Sequence, residues 1–477
     1  MNQVFLIAYH EMISACRDTR LKWLGSLVLT FVLIASYTGF KAYEIQQKDR
    51  LSAQHQNRTE WENQEEKHPH LAAHYGTFVF KPKSFWSFFD FGLDNYTGTY
   101  VYLEAHKQND LVFKPAQEQE SSVRFGELSG AAILQLFIPL LIIFICYGSI
   151  AMEREQGMLK LLTLQGVSLV QMIWGKILGY LSLILILLLV AFVLALTVPI
   201  CVANLVPMRQ IFCDGAILYA IYALYSFVVV SSSVWVSACA SSSKSALLVL
   251  LALWICMVII VPKVTANVGD ELYPLPSETE FKSYVSKDIE KGLDGHNSAD
   301  VRAKILEKKY LEKYKVDSLH KLPVNFEGIM LLESEAYTSK VYDIHFNKLQ
   351  QLYERQNKVS SYTSLLNPYM AVRNLSMAIS QTDYSSHLRF KQQAESYRRY
   401  FVQEMNKDMA KNSKMNEFNV YKAKKDLWLA VPPFRYTPST LADNLYHKTE
   451  LLSLVLWVLL LPFLIRYTSY NINIVKS

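Results

Sequence analysis

The chain has 477 residues, is 51% hydrophobic and only 19% charged, and carries a formal net charge of +6. Its 13% aromatic content excludes a disordered chain. Its 17 glycines and 6 cysteines exclude collagen-like and disulfide-scaffold classes.

A membrane-crossing helix needs about 20 mostly apolar residues, because no water is present to satisfy its backbone groups. In chain order, the uncharged windows 24–40, 131–151, 177–205, 215–243, 245–262 and 451–465 answer to that need. Any one of them alone could be a buried core helix; the set predicts six spans. Arg17, Arg20 and Lys22 precede the first span, and Arg154, Lys160 and Lys176 lie between the second and third. Lys244 lies between the fourth and fifth, and Arg466 and Lys476 follow the sixth. With alternating spans, all of these fall on one side, so the positive-inside rule places both termini in the cytoplasm.

The expected organisation is an amphipathic N-terminal helix over 1–20, span 1 over 21–43 and a first exported segment over 44–128. Span 2 (129–151), a cytoplasmic loop (152–172), span 3 (173–200), an outer loop (201–213) and span 4 (214–240) follow. An inner loop (241–245), span 5 (246–262), a large exported domain (263–448), span 6 (449–467) and a cytoplasmic tail (468–477) complete it. The fold class is therefore an α-helical polytopic membrane protein.

The first exported segment reads as small and mixed α/β. Gln46–Lys67 suits a helical extension of span 1, and 76–80 and 97–103 are rich in the Thr, Tyr, Phe and Val that favour strands. The aromatic run Phe85-Trp86-Ser87-Phe88-Phe89-Asp90-Phe91 reads as a small core or membrane-surface belt, with a docking surface as the alternative. The second exported domain reads as mainly helical. Phe326, Met330, Tyr337, Val341, Ile344 and Leu352 form one loose helical stripe, and Phe390, Ala394, Tyr397, Phe401 and Met405 form another. Asn367-Pro368 separates the two. Its charges of both signs are interspersed, which argues against nucleic acid.

Five of the 11 histidines lie in the first exported segment: His55, His68, His70, His74 and His106. His70 and His74 would share one helical face, and imidazole suits zinc or copper. Pro69 interrupts the run, however, and no cysteine is near, so the expectation is no metal. The outer-loop pair Cys201 and Cys213 reads as two small buried hydrophobes, with a disulfide as the alternative.

No G-x-x-x-x-G-K-[ST] cradle for nucleotide phosphates occurs, and no H-E-x-x-H, Cys-x-x-Cys or G-x-S-x-G. No catalytic residue is expected, and the chain is not an enzyme by itself. The spans also lack the carboxylates and histidines of a proton relay, so a driving force must come from elsewhere.

The loop Glu153-Arg154-Glu155-Gln156-Gly157-Met158-Leu159-Lys160-Leu161-Leu162-Thr163-Leu164 begins with charges and becomes an amphipathic helix. Leu161, Leu162 and Leu164 could seat in a groove while Glu153, Arg154, Glu155 and Lys160 pair at its rim; an ordinary interfacial helix is the alternative. This loop resembles the coupling region of type V ABC exporter permeases, and Asn2–Arg20, with Phe5, Tyr9, Met12 and Ile13, resembles their elbow helix. The stretches 73–82, 103–109, 366–371 and 393–399 resemble the two exported parts of a bacterial subfamily. Phe91-Gly92 departs from the Pro-Gly frequent there.

The resemblance implies a bacterial inner-membrane permease with a large periplasmic domain. It implies a second permease subunit, identical or a similar paralogue, and separate ATPase subunits that bind ATP and Mg. It places the ATPase contact on Glu153, Arg154, Glu155, Gly157, Lys160, Leu161 and Leu162, and the path between subunits at spans 2 and 5. Membrane lipids are further partners, and a periplasmic partner stays open. Two functions stay open: an ATP-driven exporter or extractor, and a mechanical transmitter that moves a periplasmic partner without transport.

Overall fold

The computed structural model of the chain describes residues 3–112, 128–202, 208–415, 420–439 and 448–471. The tail with Lys476, and the side chain of Cys201, lie outside the described residues.

Helix α1 (Gln3–Arg17) is followed at once by α2 (Thr19–Glu62), a continuous helix of 44 residues. The Asp18 side chain caps α2 by accepting from the Arg20 N–H at 2.8 Å. The extension expected of span 1 is thus present and stops at Glu62. Helix α3 (Pro69–Tyr75) leads into a two-stranded antiparallel sheet of β1 (Thr77–Phe80) and β2 (Tyr100–Leu103), with Thr77 opposite Leu103. Pro69 opens α3 instead of breaking it. At a first helical position its missing N–H has no partner to lose.

The chain continues through α4 (Gly130–Cys146), α5 (Ala151–Glu155), α6 (Met158–Leu164), α7 (Leu169–Val202) and α8 (Met208–Cys239). Next come α9 (Ser243–Ile255), a π turn (Cys256–Ile260) and α10 (Val261–Leu272). Then follow α11 (Glu278–Lys291), α12 (Ala299–Tyr314), α13 (Phe326–Leu366), α14 (Pro368–Ser380), α15 (Tyr384–Asn412), α16 (Lys425–Ala430) and α17 (Lys448–Asn471).

Among the described residues, six helical stretches are long and apolar enough to cross a membrane: Thr19–Glu62, Gly130–Glu155, Leu169–Thr197, Met208–Cys239, Ser243–Leu272 and Lys448–Ser469. Each overlaps one of the six expected spans, and their ends differ, at two places most clearly. Helix occupies both ends of the expected outer loop 201–213, and Cys213 sits within α8 as a free thiol. The helix of span 5 also runs past its expected end at 262, as far as Leu272. Pro262 is tolerated because it falls in the first turn of α10, directly after the π turn.

Two large cores and a small cluster of Ile143, Val236 and Leu250 organise the described residues. The larger joins the spans through residues such as Leu134, Ile138, Ile184, Leu188 and Val234. Helix α14, expected within the soluble domain 263–448, contributes Ala371, Val372, Leu375 and Ile379 to this span core. Asn367 sets its entry. The Oδ1 atom accepts from Tyr369 N–H at 3.1 Å, while Nδ2 donates to the Met257 carbonyl in the π turn at 2.7 Å. The second core unites the two soluble segments. Trp61 at the tip of α2 packs with Phe401 and Trp428, and its Nε1 donates to the Trp428 carbonyl at 3.0 Å.

The aromatic run 85–91 is core, not a surface. Trp86, Phe88 and Phe89 are fully buried, and Trp86 Nε1 donates to the Ile211 carbonyl at 3.1 Å. Asp90 is buried beside them. It accepts from Gly92 N–H at 3.1 Å and from Ser376 Oγ at 2.5 Å. Burial pushes its carboxyl up from 3.8 to about 6, against the hydrogen bonds from Ser376 and Gly92. Because the folded value is the higher, the native state holds this proton more tightly. The ionised form therefore destabilises the fold, not at all below about pH 4 and fully above about pH 6. Asp90→Asn should raise thermal stability in detergent at pH 7.5 by up to about 3 kcal/mol, and change it little at pH 4. An equal change at both pH values would refute the assignment.

Candidate coupling site

At the end of the spans opposite the soluble segments, α1 lies along α7. Gly175 and Gly179 have the small-xxx-small spacing that lets two helix backbones approach closely. A Cβ at Gly179 would lie 2.7 Å from the Ala8 carbonyl oxygen, and one at Gly175 would lie 2.6 Å from Ile7 Cβ. The face of α1 against the spans is thus built on Ile7, Ala8 and Glu11. Of the apolar residues expected to define the elbow, Phe5 and Tyr9 point outward and are exposed.

Lys176 was expected on the flank of span 3. The helix begins seven residues earlier, at Leu169, so Lys176 lies within it and is buried. Its Nζ meets Glu11 Oε2 and Glu153 Oε1, each at 2.8 Å. Tyr180 Oη donates to the other oxygen of Glu11. One ammonium therefore ties together the N-terminal helix, the start of the segment 153–164 and span 3.

The next two charges are also committed within the chain. Arg154 donates to the Ala238 carbonyl at 2.6 Å and the Ala240 carbonyl at 2.5 Å. These are carbonyls at the C-terminal end of α8, where a cation complements the helix dipole. Glu155 accepts from Ser243 N–H and Ser243 Oγ, both at 2.9 Å, at the N-terminal end of α9. The triplet 153–155 thus grips spans 3, 4 and 5 in turn.

The amphipathic helix expected over 153–164 is two short helices. Gly157 adopts φ +73°, a left-handed conformation that turns the chain between α5 and α6, and Gly166 at φ +84° ends α6. Leu159 is buried and Leu162 half-buried against the span core. Met158, Lys160, Leu161 and Leu164 face outward, Leu164 with 84% of its surface exposed. The expected site residues therefore divide. Glu153, Arg154 and Leu162 are half-buried against the spans, and Glu155 is exposed but bonded to Ser243; Gly157, Lys160 and Leu161 stand at the outer surface.

Glu11, Gly179 and Ser243 were not foreseen as members of this site. Gly175 and Gly179 flanking a lysine inside an apolar helix were the available signal. A group able to hold a metal, His70, His74 and His106, lies in the soluble part and not here.

Two family descriptions match the chain. Residues 97–270 match the ABC-2 family transporter protein, and residues 280–437 match a domain of unknown function, DUF3526. The first match takes in four of the six apolar helices, and the second falls between the fifth and the sixth. No curated protein matches it.

Proposed function

We propose that this chain, whose spans fall largely in an ABC-2 transporter membrane domain, is the permease subunit of an ATP-driven exporter or extractor. Separate ATPase subunits bind the ATP and Mg. The observation that carries this reading is the division within 153–164. Met158, Leu161 and Leu164 present unburied apolar side chains beyond the spans, while Glu153, Arg154 and Glu155 are bonded to spans 3, 4 and 5. An apolar helix face of this kind suits a groove on a partner. Movement of α6 would pass through the three charged residues to the spans.

On this reading α1 and the coupling segment are cytoplasmic, and the soluble segments are periplasmic, in a bacterial inner membrane. A second permease subunit, identical or similar, completes the path.

Leu164→Glu tests the contact. The side chain is 84% exposed, so the fold should tolerate the change. Co-purification with the ATPase and stimulation of its hydrolysis should both be lost, while melting of the permease in detergent is unchanged. Retained co-purification with unaltered stimulation would overturn the placement.

The second reading is a mechanical transmitter that moves a periplasmic partner. It is favoured by α2, one unbroken helix from span 1 into the soluble core. ATP-dependent transport by vesicles holding the purified complex separates the two.

A further inference from the structure

His70 and His74 lie one turn apart on α3, and His106 stands on the tight turn that follows β2. Their ligand nitrogens all fall within 4.8 Å of one another. The Nε2 atoms of His70 and His74 are 3.1 Å apart, and those of His70 and His106 are 3.3 Å apart.

The opposite nitrogens decide which atoms carry protons. His106 Nδ1 lies 2.9 Å from the Glu335 Oε2 carboxylate oxygen, which also accepts the His106 backbone N–H at 3.0 Å. Glu335 is itself held by Arg398 at 2.6 Å. A carboxylate acceptor fixes the proton on Nδ1 and leaves a lone pair on Nε2. His70 Nδ1 faces Asn406 Oδ1 at 3.3 Å, which likewise puts its proton on Nδ1. His70 and His106 then aim two Nε2 lone pairs at each other across 3.3 Å. Such a contact is repulsive between neutral rings, and a cation between them makes it attractive. Outer hydrogen bonds of this kind are the means by which proteins orient metal-binding histidines.

Two further observations agree. His106 adopts φ +63°, a conformation uncommon for any residue but glycine, so the ring is presented at the cost of backbone strain. The cluster also grades from buried His70 through half-buried His106 to exposed His74, leaving one side open to solvent.

We propose that His70, His74 and His106 bind one zinc ion through their three Nε2 atoms, with the fourth position open to water or to a donor from outside the chain. Spacing favours zinc over copper(II). Tetrahedral bonds of about 2.0–2.1 Å set neighbouring nitrogens about 3.3 Å apart, whereas adjacent positions of a square-planar copper site stand only about 2.8 Å apart. The ligands come from the first soluble segment, while Glu335 and Asn406, which orient them, come from the second. Bound zinc would therefore fasten the hairpin to helix α3, while Glu335 and Asn406 hold the ligands from α13 and α15. The expectation of no metal rested on Pro69 interrupting the histidines and on the lack of a nearby cysteine; as the first residue of α3, Pro69 places His70 and His74 on one face instead.

The test uses the full chain in detergent, carrying no polyhistidine tag, stripped with chelator and titrated calorimetrically with zinc chloride. One zinc per chain should bind, with micromolar or tighter affinity. His74→Ala, at an exposed position, should weaken binding by more than the roughly 10–100-fold that loss of an outer hydrogen bond brings. His106→Ala should do the same. Should His106→Ala fail to fold, His74→Ala decides alone. No saturable zinc binding to the wild type, or equal affinity in folded His74→Ala, would overturn the site. Tighter binding of copper(II), with coordination by three nitrogens in its paramagnetic resonance spectrum, would overturn the choice of zinc.

Discussion

Lys176→Ala should destabilise the chain by about 3–5 kcal/mol, the range found when one partner of a buried ion pair is removed. Two carboxylates depend on this ammonium. Without it Glu11 and Glu153, both half-buried, would be left with no counter-charge, on opposite sides of the same vacancy. The N-terminal helix would then keep its close packing at Gly175 and Gly179, the burial of Ala15 and the hydrogen bond from Tyr180 to Glu11. Thermal or denaturant unfolding in detergent measures the loss, and protease access to residues 3–17 reports whether α1 has come away. The triple variant Glu11→Gln, Glu153→Gln, Lys176→Met removes all three charges together and should recover most of the lost stability, because no unpaired charge remains. A single variant as stable as the wild type would show that water already reaches the site.

Arg398→Met should have a comparable effect, about 3–5 kcal/mol, in the soluble part. Arg398 is 1% exposed. It donates to Glu335 at 2.6 Å, to both oxygens of Glu395 at 2.8 and 3.0 Å, to Ser339 at 3.2 Å and to the Glu104 carbonyl at 3.1 Å. Methionine fills much of the volume but leaves buried Glu335 without its arginine and Glu395 with Arg399 alone. Because Glu104 belongs to the first soluble segment, the hairpin should also loosen from α15, and amide exchange over 100–107 should quicken. Arg399→Ala is the control. Arg399 also bonds Glu395 and Asp343, but its side chain is 34% exposed and Asp343 50%, so its loss should amount to less than about 1 kcal/mol. Equal losses from the two variants would contradict the distinction between buried and solvated pairs.

The spans were legible because burial in lipid needs nothing but length and apolar composition. The strands were legible from their Thr, Tyr, Phe and Val, the long helices from periodicity, and Asn367-Pro368 marked its boundary because a proline restricts its predecessor. What was hidden depends on distant partners. Arg154 and Glu155 look like rim charges until Ala238, Ala240 and Ser243 are brought beside them from more than 80 residues away. His106 gains its carboxylate from 229 residues away, and His70 its amide from 336. Nothing local announces either. Helix α14 was misplaced for another reason. Its polar residues, Asn374 and Ser376 among them, read as soluble, yet they find partners in Glu450 and Asp90 when the helix enters the span core.

The single run from Thr19 to Glu62 has a mechanical consequence. Forty-four residues at about 1.5 Å each make a rod about 66 Å long, roughly twice the thickness of the hydrocarbon layer it must cross. Its base adjoins the N-terminal helix and its tip is packed against Trp428. With no hinge along its length, a tilt of about 10° at the base would carry the tip through roughly 11 Å. The outer body therefore cannot stay still while span 1 tilts. Either the two swing together, or the contact of Trp61 with Trp428 breaks, and fluorescence of these indoles during turnover would tell one from the other.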